Sequence, residues 1–433
     1  MHGFDDATTT FRRRALQAVQ ALTVLATVFT AAALLATDAL AQAKVVHLGL
    51  IQDFTRVYTF VTEEYNQGEQ DYLELVNLSG GVGGYTFEAL VTDTGNEPQR
   101  GIEAYERFKR EGALVFDFLS TPVSRANVPR ILKDGNVLIT VLHGRSDATD
   151  GTTFPTIFPI MATYWSQATV VTKYVLDQEG GSLQGKKVAL VHIDSPFGRE
   201  PIPVFETLAG RLGFQFQDFP YPSPGTEQSA TWTQVRRFRP DWVVLWGAGG
   251  GQPVAVREAI RNGIRTDRIV SVVWLAEKDM QVVGAQQARG VLRFEAAAAG
   301  TEPVLVRDIL EKVYGAGRGH GDRANVGSTY YNIGVGAMAT VVEGIRIALQ
   351  RWGEPLTAEK IKTGLESLQG FDAEGLMPPI AITSEDHEGG GVGRISQWDG
   401  SRWVPRTDWY GAYRDIVWNL VRESAAQFRA TGE

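Results

Sequence analysis

From Val45 onward the chain alternates short runs rich in β-branched residues with longer segments of helical periodicity. A strand that leads into a helix and then into another strand crosses over its own sheet, so such a chain builds parallel sheets with helices on both faces. The runs predict strands over 45–52, 87–92, 114–118, 137–141, 187–193, 242–247, 269–273 and 291–294. The segments between them predict helices over 61–78, 99–110, 124–133, 164–179, 202–212, 254–262 and 304–314. The alternation pauses at Phe154-Pro155-Thr156-Ile157-Phe158-Pro159, an extended stretch flanked by proline, and then restarts in the same form. That pattern predicts a crossing from one α/β lobe into a second, and 433 residues suffice for two.

Beyond Phe294 helices dominate to Leu368, including an Ala/Gly-rich one over 332–351 whose small residues suit close packing against a neighbour. Short strands follow over 380–382, 394–398 and 402–404, with Asp399-Gly400 supplying hairpin-turn chemistry. The segment 415–428 reads as an amphipathic helix with Ile416, Val417, Leu420, Val421 and Phe428 on one side.

Residues 1–14 are polar and end in Arg12-Arg13-Arg14, Ala15 to Thr37 carries no charge, and Ala39-Leu40-Ala41 is a small-x-small site. This is the plan of an export signal cleaved near Ala41. The uncharged run is long enough for a membrane anchor, but Gln17, Gln20 and its many alanines make it weakly apolar, which favours cleavage. Arg12-Arg13 before Ala15-Leu16 also resembles a twin-arginine signal, with Phe11 and Gln17 departing from the usual flanks, so two export routes stay open. No second apolar run of spanning length is read after Ala41, and the expected location is the periplasm.

The net charge is −8, and Asp5, Asp6 and Asp38 balance the three arginines, so the acidity belongs to the mature part. An acidic chain without basic clusters gives nucleic acid nothing to hold. Zero cysteines exclude disulfides, thiolate metal sites and thiol nucleophiles. His47, His143, His192, His320 and His387 are scattered, so no metal is expected. No G-x-S-x-G is present, Gly180 to Lys187 lacks the Ser or Thr of a P-loop, and Ser384-Glu385-Asp386-His387 reads as a solvated turn. Gly247-Ala248-Gly249-Gly250-Gly251 opens a helix after a strand, as a dinucleotide loop would, with Asp267 downstream; Gln252 replaces its final glycine. An exported NAD(P)-type oxidoreductase is therefore the alternative from another class, while the main reading has no cofactor and no catalytic residue.

Ligands of open parallel sheets bind beyond the carboxyl ends of the strands. Phe54 and Tyr58 follow the first predicted strand, Phe118, Ser120 and Thr121 the third, and His143, Gly144 and Arg145 the fourth. In the second set Phe197 follows 187–193, Trp246 closes the next strand, and Trp274 and Glu277 follow 269–273. Each aromatic alone reads first as ordinary core. Their joint placement in both sets describes a small-molecule pocket with aromatic walls and few polar anchors.

Several segments stand in a telling order: Asn77-Leu78-Ser79-Gly80-Gly81-Val82-Gly83-Gly84, Asp93-Thr94, Pro98-Gln99, Phe154-Pro155-x-x-Phe158, Asp194-Ser195-x-Phe197-Gly198, and Gly370-Phe371-Asp372 through Asp386-His387. On these the chain, from about Val45 to Asp408, resembles the periplasmic solute-binding proteins of the leucine/isoleucine/valine type, which feed ABC importers. The resemblance implies a two-lobed type I periplasmic binding protein fold, each lobe a parallel sheet flanked by helices, with three inter-lobe crossings. The lobes would comprise 42–160 with 296–375 and 161–295 with 376–413, followed by a C-terminal helix over 414–433.

Carried over by position, the family's ligand contacts fall on Tyr58, on Ser120 and Thr121, on Leu142, His143 and Gly144 for a carboxylate, on Phe197 and Trp246, and on Glu277 for an ammonium. The chain departs from the family where His143-Gly144-Arg145 replaces a small residue and a threonine, and where Phe197 has lost a tyrosine hydroxyl. His143 or Arg145 beside an aromatic wall suits a carboxylate on a flat body, whereas Glu277 suits an ammonium. The resemblance implies a monomer that binds an amino acid, or an aromatic acid or amide, and delivers it to an ABC-type membrane permease. A ligand-sensing module for a receptor would share the fold.

Overall fold

The computed structural model describes residues 44–432, so the expected export segment lies outside the described residues. Strands β1 (Lys44–Gln52), β2 (Tyr85–Asp93), β3 (Val115–Asp117), β4 (Val137–Ile139) and β5 (Ile157–Phe158) form one sheet in the order β2-β1-β3-β4-β5. β1, β3, β4 and β5 are parallel, with Leu48 opposite Val115, Val115 opposite Val137 and Leu138 opposite Ile157. The chain continues through β6 (Lys187–Ile193), β7 (Gln215–Tyr221), β8 (Trp242–Trp246), β9 (Ile269–Ser271) and β10 (Leu292–Glu295). After these come β11 (Gln369–Phe371), β12 (Ile380–Ala381), β13 (Arg394–Trp398) and β14 (Trp403–Pro405). The second sheet runs β14-β13-β10-β9-β8-β6-β7, while β11 and β12 pair separately.

The second sheet thus repeats the first: β7-β6-β8-β9-β10 has the connectivity of β2-β1-β3-β4-β5, and β13 and β14 extend it antiparallel. In both, successive connections turn to opposite sides of the first strand. The loops after β1 and β3, and after β6 and β8, therefore part at a topological switch point, where an open α/β sheet leaves a crevice.

The helix Thr329–Trp352 lies against Thr59–Leu78 at backbone distance. A Cβ on Gly68 would come within 2.2 Å of the Tyr331 carbonyl oxygen, and one on Gly334 within 2.1 Å of that of Tyr65. This is the close packing expected of the Ala/Gly-rich helix. The reading that no second apolar run reaches spanning length is corrected here, since Thr329–Trp352 meets that measure by length and composition. With 78% of its apolar window buried, it is a core helix.

Other elements also depart from expectation. β7 went unread because its sequence, QFQDFPY, carries a proline and is half exposed, as an edge strand allows. The helices Ser229–Phe238 and Glu277–Val283 were not anticipated, whereas Ala358–Leu365 falls in the stretch where helices were expected, and the Pro-flanked pause holds β5. The predicted helix 304–314 is an α-turn, Val304–Asp308, that relaxes into a π-turn over Ile309–Val313. Ser384-Glu385-Asp386-His387 is not wholly a solvated turn. His387 is fully buried, stacked on Phe158 with centroids 4.1 Å apart, and hydrogen-bonded to Ile157 O at 2.8 Å.

The C-terminal helix Arg414–Thr431 straddles elements that carry both sheets. Its first turn reaches the helix Ile202–Leu212 through Asp415 and Arg211 (2.6 Å), and its last turns reach the loop after β4. There Ser424 donates to Asp147 at 2.7 Å and Phe428 packs on Phe154 at 4.6 Å.

Beneath β1 and β3, Glu69 is fully buried and accepts a 2.7 Å hydrogen bond from Gln52. Burial, and next the negative charge of Asp117, push its carboxyl well above the usual range. A folded-state pKa raised above the unfolded value stabilises most below the unfolded pKa, and that contribution falls as pH rises through the folded one. Glu69→Gln keeps a hydrogen-bonding side chain without the titration. Urea midpoints of the variant and the parent are expected to diverge in the variant's favour as pH is raised from 4.5 to 8.5.

Candidate functional site

Loops from the first three strands of each sheet enclose one cleft of about 430 Å³. The first sheet contributes Arg56 to Phe60 after β1, Asn96 after β2, and Thr121 and Pro122 after β3. The second contributes Ile193, Ser195, Pro196 and Phe197 at and after β6, Ser223 and Pro224 after β7, and Ala248 to Gly250 after β8.

The loop bearing Tyr58 is wound on a carboxylate. Both oxygens of buried Asp53 accept backbone N–H bonds, from Thr55 (3.2 Å), Arg56 (2.9 Å), Val57 (2.7 Å) and Tyr58 (2.9 Å). This delivers the Tyr58 side chain to the start of the helix Thr121–Asp134. Burial raises the Tyr58 hydroxyl to about 12, against the opposing pull of the Thr121 backbone N–H and hydroxyl beside it. Thr121 Oγ1 accepts from Gly144 N–H at 3.3 Å, which leaves its own proton to turn toward the Tyr58 oxygen. Ser120 caps the helix and donates to Asn96 at 2.7 Å.

On the second sheet, Ser195 caps the short turn Pro196–Arg199 by accepting from Gly198 N–H at 3.2 Å, which fixes Phe197 against Tyr164 (centroids 5.0 Å). Trp274 donates its indole N–H to Tyr164 at 2.7 Å and meets Phe60 edge-on at 6.3 Å. Gly249 has φ +59°, and a Cβ there would sit 3.2 Å from the Phe60 ring. The two sheets' loops touch at this point. Lys278 bridges the same seam, bonding Phe60 O and pairing with Glu64 at 2.9 Å, as does Glu200, which accepts from Ser146 N–H (3.0 Å) and Oγ (2.6 Å).

Of the ten residues expected at the site, Tyr58, Thr121 and Phe197 line this cleft. The others stand behind it or elsewhere. Ser120 is spent as a cap, and Leu142 is buried at φ +55°. His143 bonds Val141 O (2.8 Å) and Ser124 Oγ (3.1 Å), and burial lowers its pKa, which disfavours the charged form. Gly144 braces Thr121. Arg145 grips Asp147 through two nitrogens (2.9 and 2.7 Å) between the rings of Phe154 and Phe428, facing the C-terminal helix.

Trp246 is fully buried under Tyr164 and Phe205 in the core of the second sheet. Glu277 accepts from the Thr329 hydroxyl (2.7 Å) and N–H (3.3 Å) and lines a separate cavity of about 440 Å³ with Glu295, Arg394 and Trp403. The residues that sequence reasoning missed, Phe60, Asn96, Ser195 and Ser223, carry one common signal: each follows a first or second strand closely. The glycine loop was noticed, but as a phosphate cradle; Phe60 covers it.

These features have counterparts. A family model described as Periplasmic binding protein matches residues 45–402. A crystal structure from the Pseudomonas fluorescens group, described as an ABC transporter permease, is 36% identical, superposes with a TM-score of 0.82, and aligns over 88% of this chain and 96% of its own. A branched-chain amino acid ABC transporter protein from Thermus thermophilus with bound valine is 22% identical, with a TM-score of 0.75 over 87% of this chain and 98% of that one. The Leu/Ile/Val-binding protein homolog 3 of Brucella melitensis is 21% identical over 265 residues, 61% of this chain and 70% of that protein. With its repeated α/β lobes and a cleft framed by both, the chain belongs to the periplasmic binding protein family.

Proposed function

We propose that this chain is the extracytoplasmic solute-binding component of an ABC importer, closing two lobes on a small organic acid and delivering it to a membrane permease. The lobes are 42–160 with 296–375 and 161–295 with 376–413, the segment 1–41 is an export signal removed near Ala41 in the periplasm, and the chain acts as a monomer. The ligand is an amino acid, or an aromatic acid or amide. One observation supports this most: the loops at both switch points meet on one cleft, so a ligand there touches both sheets at once. Only a ligand that binds the closed arrangement more tightly than the open one shifts a hinge equilibrium, and contact with both lobes supplies that difference.

The test is a thermal-shift panel of amino acids, benzoates, cinnamates and short amides, paired with small-angle scattering. A ligand at a hundred times its Kd stabilises the folded state by about 2.7 kcal/mol, so a true ligand raises Tm and reduces the radius of gyration together. A panel that moves neither quantity overturns the reading. Phe197→Ala is expected to weaken the best ligand by about 1 kcal/mol through the lost ring contact, as read by calorimetry.

A further inference from the structure

We propose that the cleft selects a carboxylate that carries no neighbouring ammonium: a desamino organic acid with an aromatic or branched apolar body. The inference rests on the proposed function and specifies the ligand of that same site.

Among the described residues no aspartate or glutamate lines the cleft. Acids on and behind the lining loops are engaged with other partners: Asp194 with Arg199, Glu97 with Arg56, and Asp93 with the Phe54 N–H and the Thr55 hydroxyl. Asp53 is saturated by four backbone N–H groups, Glu64 holds Lys278 and Ser328, and Glu200 holds Ser146. Glu277, the one residue suited by position to an ammonium, is bonded to Thr329 and opens on the other cavity. An ammonium entering here would give up water and meet no counter-charge, a penalty of the kind that keeps unpaired charges out of protein interiors.

A carboxylate meets donors instead. The Thr121 N–H and hydroxyl, at the positive end of the fourteen-residue helix Thr121–Asp134, hold the oxygen of Tyr58, which leaves the Tyr58 O–H to donate into the cleft that both residues line. Ser195 and Ser223 offer hydroxyls from the opposite sheet, and among the described residues Arg56 is the one charged side chain in the lining. Its ion pair with Glu97, at 3.3 Å between exposed side chains, is of the weak, exchangeable kind. The rest of the wall is apolar, with Phe60, Phe197, Pro122 and Ile193, and about 430 Å³ accommodates a single ring or a branched chain.

The experiment is titration calorimetry on the purified exported chain with matched pairs: 4-methylpentanoate against L-leucine, and 3-phenylpropanoate against L-phenylalanine. The desamino member of at least one pair is expected to bind tenfold or more tightly than its amino acid. Thr121→Val should weaken that binding about tenfold, Thr121→Ser should restore it, and Glu277→Gln should leave it unchanged. An amino acid that binds as tightly as its desamino partner, or that loses binding in Glu277→Gln, overturns the selectivity and leaves the binding-protein reading intact. If no member of either pair binds and the broader panel is also silent, the proposed function itself falls, and this inference with it.

Discussion

Arg293→Ala is expected to destabilise the protein by about 3–5 kcal/mol, the range for breaking a buried ionic group out of its partners. Arg293 is fully buried on β10 and holds four elements together. Its Nη1 donates to Leu275 O (2.8 Å) ahead of the helix Glu277–Val283, and to the Thr329 hydroxyl (2.7 Å) at the start of the core helix. Its Nη2 lies 3.6 Å from Glu295 and 4.0 Å from Glu277, and the guanidinium covers the Trp403 ring of β14 at 4.2 Å. Truncation removes the guanidinium beside Glu277, leaves Glu295 to Arg394 alone, strips the Leu275 carbonyl and Thr329 hydroxyl of their donor and opens a space beside Trp403, so the losses act in the same direction. Lysine does not rescue: its one ammonium can take over the two bonds of Nη1, but it has no second nitrogen for the Glu295 and Glu277 side and no planar guanidinium to cover the Trp403 ring. Urea denaturation of both variants measures this, and a loss below about 1 kcal/mol, the size of an exposed pair, would show that the cluster contributes no more than a surface one.

Gly334→Ala is the second large effect, and its sign is the informative part. In an exposed helix, alanine would gain about 1 kcal/mol over glycine from propensity alone. Here the new methyl would sit 2.1 Å from the Tyr65 carbonyl oxygen, and the obstacle is backbone, which no rotamer change removes. The helices Thr59–Leu78 and Thr329–Trp352 must separate, and overpacking of this kind costs about 1–3 kcal/mol. A net loss of stability in Gly334→Ala, and a larger one in the double variant with Gly68→Ala, is the expected result by chemical denaturation. A gain would mean that the helices part easily. Tyr58 sits at the head of one of these helices, so the double variant should also weaken ligand binding.

Much of the architecture was legible in one dimension because it depends on local pattern. The apolar run 188–191 inside Lys187–Ile193 and the strand Trp242–Trp246 call for a sheet covered on both faces, and the small residues of Thr329–Trp352 announce a close helix contact. Placing Tyr58, Thr121 and Phe197 at strand ends was likewise a local inference, since the end of a strand and the start of a helix are marked by nearby residues. β7 escaped because an edge strand needs no apolar run.

What the sequence by itself determined is therefore the repeated α/β alternation and a set of loops at strand ends that can frame a cleft. The tertiary structure alone decided which of those loops do. The fourth-strand loops of both sheets carry residues that look equally suited to a site, His143 and Arg145 in one and Glu277 in the other. Strand order separates them from the cleft, because the crevice opens beside the first and third strands, and their side chains turn to partners distant in sequence: Phe428 for Arg145 and Thr329 for Glu277. A residue's position along a strand follows from local periodicity. The direction its charge faces depends on which distant group can satisfy it once water is excluded, and only the folded chain brings those groups together.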